Sequence, residues 1–523
     1  MSPLSKAKHS RNQWKHKARR RADDNRYLRK QLARVTQERA RAQQALKDTQ
    51  ARLRQVEAQK PVQGKVEWVF LALQLLLVAR LGFRAVSRVL SLLAEPLGIP
   101  KAPCPQTIIN WVTRLSQVRM ASLSEPLSSD LIWIIDISIA LGQGKLLAVL
   151  ALNARHHQLH PTAPDLHRVR LLAVSVSASW TGETIADLLK RLIAVVGRPM
   201  AYLKDGGHDL QKAIKVLDEQ GLASPTIDDI SHAIANLLKR HYHDHPLLAT
   251  FLSACGCVSG RLKQTLLACL TPPNVHTKAR FMNLHRLVSW AQRLLKLSPP
   301  GRAAQDSMLA QLRACLDRLP ACKAFIQRFH ADATPLLACQ KLLKNRGLGH
   351  DTQADCLRLI ETIPSAVVRR EFADYLHQQL QTATRLGLKS VGLPISSDPI
   401  ESLFGLAKQH GVGEVKDANR IALRLPALCG TPTRAEAQQV LAIRVAQQTE
   451  LTGQLLSLTK QRREVLSHHG ALETLNSEQT NGYVEFLPST KNRPNCRETL
   501  TLSTDYEKMH GPTSKVLRST QGL

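Results

Sequence analysis

The chain has 523 residues, 43% of them hydrophobic, which is enough for two or three domains with sizeable cores. Its formal net charge of +31, from 72 Lys and Arg against 41 Asp and Glu, argues for a polyanionic partner, nucleic acid before a membrane surface. The ten cysteines form no CxxC pair and no disulfide framework, the basic N-terminus lacks the apolar core of a signal peptide, and the longest apolar stretch, residues 69–79, is too short for a membrane span. A reducing, intracellular setting is expected, with no membrane partner.

Residues 1–60 carry 18 Lys and Arg against 5 Asp and Glu. Residues 1–22 are too polar to fold alone and read as a flexible basic arm. Over 23–59 the pattern turns helical. Leu28, Val35, Ala42, Thr49 and Val56 recur every seventh residue, interleaved with Leu32, Arg39, Leu46 and Leu53, in the three-and-four spacing of a coiled-coil seam. With Ala, Thr and Arg in the seam, this is either a short dimerising coil or a single solvated helix. The sequence KPVQG at 60–64 is a break. Residues 66–81 read as an apolar helix, 82–93 as an amphipathic one, and 106–115 as a third after a proline-rich loop. The span 65–125 therefore resembles a helix-turn-helix DNA-binding unit, whose recognition helix would present Gln106, Thr107, Asn110 and Arg114. It also reads as an ordinary three-helix connector.

From residue 130 the texture changes. LIWIIDISIA at 131–140 is a buried-strand pattern interrupted by one carboxylate, Asp136. Trp133, Ile135, Ile137 and Ile139 would share one face, and Ile134, Asp136, Ser138 and Ala140 the other. A lone buried carboxylate is costly unless something pairs with it, either a metal ion or a core cation. Further strands are expected at 145–154, 170–180, 200–205 and 225–230, with helices at 181–196, 208–220 and 231–242, giving a mixed sheet flanked by helices. Asp205 falls at a strand's C-terminal end, where α/β sheets tend to place their chemistry. Residues 245–390 read as all helical. There Trp290, the basic cluster 280–293, Arg369 and Arg370 are DNA-contact candidates, although each also reads as a solvated helix face. In 396–411, Asp398-Pro399 starts a helix on which Glu401 and Lys408 share a face. Residues 417–428 and 433–464 read as helical. The polar stretch 475–523 reads as disordered.

The motifs WIIDISIA, YLKDGGHDLQKA, DDISHAIANLLK and SDPIESLFGLAK, with three acids in this order, resemble the DDE transposases of bacterial insertion sequences over roughly residues 60–460. That resemblance implies an α/β, RNase H-like catalytic core (130–244 and 391–470) with an all-α insertion domain at 245–390. It makes Asp136, Asp205 and Glu401 the catalytic residues and the ligands of two Mg²⁺ or Mn²⁺ ions, and places Lys408 against DNA phosphate. Asp229 and His232 resemble a D/CxxH element that some transposases carry after the fifth strand; His232 also reads as a simple helix-start residue. The partners implied are the DNA of the element's ends and of the target, together with a homodimer or larger assembly in the cytoplasm, associated with the nucleoid. The spacing of Glu401 and Lys408 matches one subgroup, but Ser397 stands where that subgroup has Arg, so no subgroup follows. Two other readings are a non-catalytic DNA-binding protein derived from a transposase, and another RNase H-like nuclease.

Overall fold

The computed structural model describes residues 3–59, 61–96, 101–123, 127–138, 144–155, 164–275, 280–299, 301–409, 417–453, 484–488 and 500–502, with single residues at 455, 458, 462 and 466. The chain divides into two compact units, Met1–Leu71 and Ala72–Leu523. In the first, α1 (Pro3–Gln59) is one helix of 57 residues. The segment expected as a flexible arm is thus the opening of this helix. Its Arg, Lys, Gln and Ala content is helix-favouring, which outweighs charge repulsion along the chain. α2 (Pro61–Leu77) begins inside the expected break, with proline at its first position, where a missing N–H costs nothing.

The second unit is mixed α/β. Helices α3 (Phe83–Leu92) and α4 (Pro105–Ala121) precede the sheet. Strands β1 (Leu131–Ile137), β2 (Lys145–Asn153) and β3 (Val169–Ser177) follow, then α5 (Gly182–Val196), β4 (Ala201–Lys204), α6 (His208–Glu219), β5 (Thr226–Asp228) and α7 (Ile230–Tyr242). Ile139 and Ala140, expected to extend the first strand, lie outside the described residues. In β1 residues 132–135 are buried on both faces, because helices or neighbouring segments cover the sheet on each side. α5 starts at Thr181, whose hydroxyl accepts from Thr184 N in a capping box, with Glu183 in the first turn.

The sheet has seven strands in the order β5-β4-β1-β2-β3-β6-β7. β1 is antiparallel to β2, β2 is antiparallel to β3, and β4 and β5 run parallel to β1. β6 (Val484–Phe486) and β7 (Leu500–Leu502) come from the stretch expected to be disordered. The three residues Val484, Glu485 and Phe486 are all buried, and Glu485 accepts both guanidinium nitrogens of Arg191 at 2.8 Å. That ion pair makes a buried glutamate tolerable on a sheet strand. A three-residue strand is too short for periodicity to mark it.

Between α7 and the last core segments the chain is helical: α8 (Pro246–Lys263), α9 (Arg280–Leu297), α10 (Met308–Cys315), α11 (Lys323–Arg346), α12 (His350–Ile360) and α13 (Ala366–Arg385), with one bridge between Leu348 and Leu393. α14 (Asp398–Gln409) then returns against β1. α15 (Ala418–Ala422) and a 3₁₀ turn at Leu425–Leu428 replace the single helix expected over 417–428, since Pro426 has no N–H to continue one. α16 (Arg434–Ala442) and α17 (Val445–Gly453) complete the series. Among the described residues no helix is long and apolar enough to cross a membrane.

Candidate active site

Strand register brings the acids together. Ile135 of β1 pairs with Lys204 of β4, and Lys204 pairs with Asp228 of β5. The next residue on each strand is an acid, so Asp136, Asp205 and Asp229 come level at one edge of the parallel strands. Burial pushes the Asp136 carboxyl up to about 6, the charge of Asp205 adds to the rise, and Glu401 contributes in the same sense. The backbone N–H of Ile137, at 2.7 Å, and the charge of His232 pull the other way. The charges of Asp205 and Glu401, the latter 265 positions away in sequence, therefore act on Asp136.

Each acid is held by local structure. Asp205 Oδ1 accepts from Gly207 N at 2.9 Å. A Cβ on Gly207 would stand 2.9 Å from that oxygen, so glycine is what lets the carboxylate fold over the turn. Asp229 is 1% exposed, caps α7 by accepting from His232 N at 2.8 Å, and takes Ser397 N at 2.6 Å just before α14. Burial raises its carboxyl pKa, while the two N–H donors oppose the rise. Glu401 stands in the first turn of α14, with its carboxylate 3.5 Å from His232 Nε2. That ion pair lifts His232 to about 9 against the effect of burial and lowers Glu401, so the pair is charged at neutral pH. Lys408 lies two turns further along the same helix, at its other end.

Several supporting residues had no signal in the sequence. Lys344 at the end of α11 reaches Asp398, the first residue of α14, at 2.6 Å. Lys204 is 6% exposed and pairs with Asp228 at 2.9 Å, directly behind Asp205. Tyr375 of α13 donates to Asp228 O at 2.8 Å. The helical segment thus braces both β5 and the glutamate helix. A cavity of about 250 Å³ opens beside the acids, lined by Gly206, Asp229, His232, Asn236 and Tyr375 among others.

The donor set consists of hard oxygen atoms, which suits Mg²⁺ or Mn²⁺. The negative charge that Asp205 and Glu401 set against Asp136 is also what a divalent cation would relieve. Among the described residues no group of three or more His, Cys, Asp or Glu forms a metal-holding cluster, and Glu401 is engaged by His232.

Of the α4 residues expected to read DNA, Arg114 and Asn110 are engaged within the protein. Arg114 is 7% exposed and donates to Gln448 of α17 at 2.9 Å. Gln448 donates in turn to Asn110 at 3.0 Å, and Asn110 accepts from Gln106 at 3.1 Å. α4 packs on the Leu425–Leu428 turn and on α16, so its polar stripe faces protein along much of its length. Gln106 stays exposed, while Thr107 is half-buried and contacts Cys104 Sγ at 3.3 Å. Trp290 is a core residue that donates to Leu270 O at 2.8 Å. Partners more than 300 positions away, such as Gln448, leave no trace in the local pattern of α4. No family model matches this chain, and no curated protein matches its sequence.

Proposed function

We propose that the chain is a DNA transposase of the DDE type, with an RNase H-like core built on β3-β2-β1-β4-β5 and a helical insertion before the third acid. The observation that carries this reading is the strand register that brings Asp136 and Asp205 level at one edge of the parallel strands, where the charges of Asp205 and Glu401 both act on Asp136. The strand order, the helical segment between α7 and α14, and the net charge of +31 support it.

Asp136, Asp205 and Glu401 would hold two Mg²⁺ or Mn²⁺ ions, which when bound supply activation of the attacking oxygen and stabilisation of the leaving one. Gly207 N–H orients Asp205, and Asp229 fixes the start of α14 so that Glu401 faces the strand ends. His232 offsets the acidic charge near Glu401 in the unliganded site. Lys408 offers a cation to the DNA backbone. Hydrolysis at the element's end leaves a 3′-hydroxyl, and the same carboxylates then serve its joining to target DNA. The ion pair between His232 and Glu401 favours a second reading, a DNA-binding protein that no longer cuts.

Cleavage of a supercoiled plasmid carrying the element's own ends, in Mg²⁺, separates the two. Metal-dependent 3′-hydroxyl ends made by wild type and not by Asp205→Ala are expected. If both bind the ends and neither cuts in Mg²⁺ or Mn²⁺, the binding-protein reading holds. Equal cutting by both would mean that Asp205 is not a ligand.

A further inference from the structure

An open groove of about 580 Å³ lies along α9, well apart in sequence from the acids. Arg286 and Arg293 line it, both exposed and two helical turns apart, together with His285, Thr271 and Asn274. Among the described residues no carboxylate lines the groove. Among the described residues neither arginine enters an ion pair, whereas Arg240 and Arg261 in the neighbouring helices are each neutralised by an acid. Arg293 uses Nε on its own helix, donating to Ser289 O at 3.3 Å. Trp290 anchors one wall through its bond to Leu270 O, so the groove is a formed feature and not a gap between mobile side chains. Burial and Arg286 hold His285 below the usual histidine range.

We propose that this groove grips the phosphate backbone of duplex DNA. The choice of DNA rests on the transposase reading; the polyanion specificity rests on the groove itself. Seven helical residues rise about 10 Å, so the two arginines leave α9 at a spacing of the order of that between phosphates a few nucleotides apart on one strand. Thr271 and Asn274 add neutral donors of the kind that fix register on a duplex without reading sequence. An acidic protein surface is a poorer fit, because two arginines with no ion-pair partner among the described residues, spaced along an open groove, match a continuous row of charge better than scattered carboxylates.

The test uses the full chain and a fluorescein-labelled duplex, followed by anisotropy over a salt series. Arg286→Gln/Arg293→Gln should lower the slope of log affinity against log salt by about two and weaken binding about 10- to 100-fold. The charge-matched pair Lys263→Gln/Lys389→Gln, exposed elsewhere on the helical segment, should change the slope by less than half as much. Equal effects from both pairs would overturn the proposal, because the groove would then be only a share of the overall charge. A photo-crosslinking residue at Ser289 should form an adduct with the labelled duplex that unlabelled duplex removes; an adduct with single-stranded RNA alone would also overturn it. Crosslinking retained in a protein that never cuts would leave the groove standing and remove the transposase reading.

Discussion

Asp136 pays for its position. The folded chain ionises it near pH 6, against 3.8 for the free side chain, so the ionised form destabilises the fold. The sign follows from the upward shift: the penalty is absent below pH 3.8, grows through the interval, and is complete above pH 6. A shift of about two pH units corresponds to about 3 kcal/mol. Asp136→Asn should therefore raise the melting temperature at pH 7.5 by several degrees, lose that gain at pH 4, and cut DNA about 10³-fold or more slowly, as expected when one member of a catalytic group is removed. Calorimetry at the two pH values and the nicking assay check both halves. A variant that melts lower at pH 7.5 would mean that Asp136 is paired and structural. The wild-type cutting rate should also rise through pH 6 as the carboxylate frees itself to bind cation. The residue was legible in the sequence as a carboxylate inside a β-branched run, but that pattern alone left a metal ion and a core cation equally open as its partner. The partner of Glu401 was not, since nothing in SDPIESLFGLAK points to a histidine 169 positions earlier.

Among the elements, the site depends on how α14 is fastened to the sheet. Asp229 joins the start of α7 to Ser397 with one carboxylate, and each of its oxygens accepts a backbone N–H. Asn at this position would set an amide N–H against a backbone N–H, an unmade bond worth about 1–3 kcal/mol. Asp229→Asn should keep the fold, speed hydrogen exchange across residues 396–401, and reduce cutting more than DNA binding. Unchanged exchange there would sever the link between Asp229 and the glutamate helix. A comparable fastening holds the far side of the sheet. Arg191→Ala would leave Glu485 buried on β6 without its cation and should cost about 1–3 kcal/mol, with Glu485→Gln in the same background recovering part of it. Limited proteolysis near residue 484 reports the loss; equal protection in all three proteins would make β6 dispensable. The strands and helices of 131–242 followed from alternation and capping because each carries its own pattern. What was missed shares a cause: the burial of Arg114 against Gln448, strand β6 and the core position of Trp290 are defined by what packs on them, and a single stretch of sequence does not contain that neighbour.

For the whole molecule, the open question is what the long helix α1 meets. Its described side chains lie in solvent, including Leu28, Leu32, Val35 and Leu46, which are 57–69% exposed. These four fall on the three-and-four seam, whereas most arginines and lysines, Arg39 apart, fall at other positions. A lone helix gains nothing by spacing leucine and valine in this way, and a second copy of the same helix would bury them as knobs in holes. Arg39 and the small Ala42 weaken the middle of the seam, so the association should be concentration-dependent, in line with mass action for a marginal interface. Sedimentation of the full chain should show a dimer that Leu32→Asp/Leu46→Asp converts to monomer, with the metal-dependent nick rate of the monomer on one end intact and joining of two ends reduced at least about tenfold. Salt should act in opposite directions on the two steps. Screening relieves repulsion between the basic helices and favours pairing, while it weakens the grip of the same cations on DNA. If wild type sediments as a monomer at every concentration and salt tried, α1 is a solvated basic arm for nucleic acid, and its leucines have no partner of their own kind.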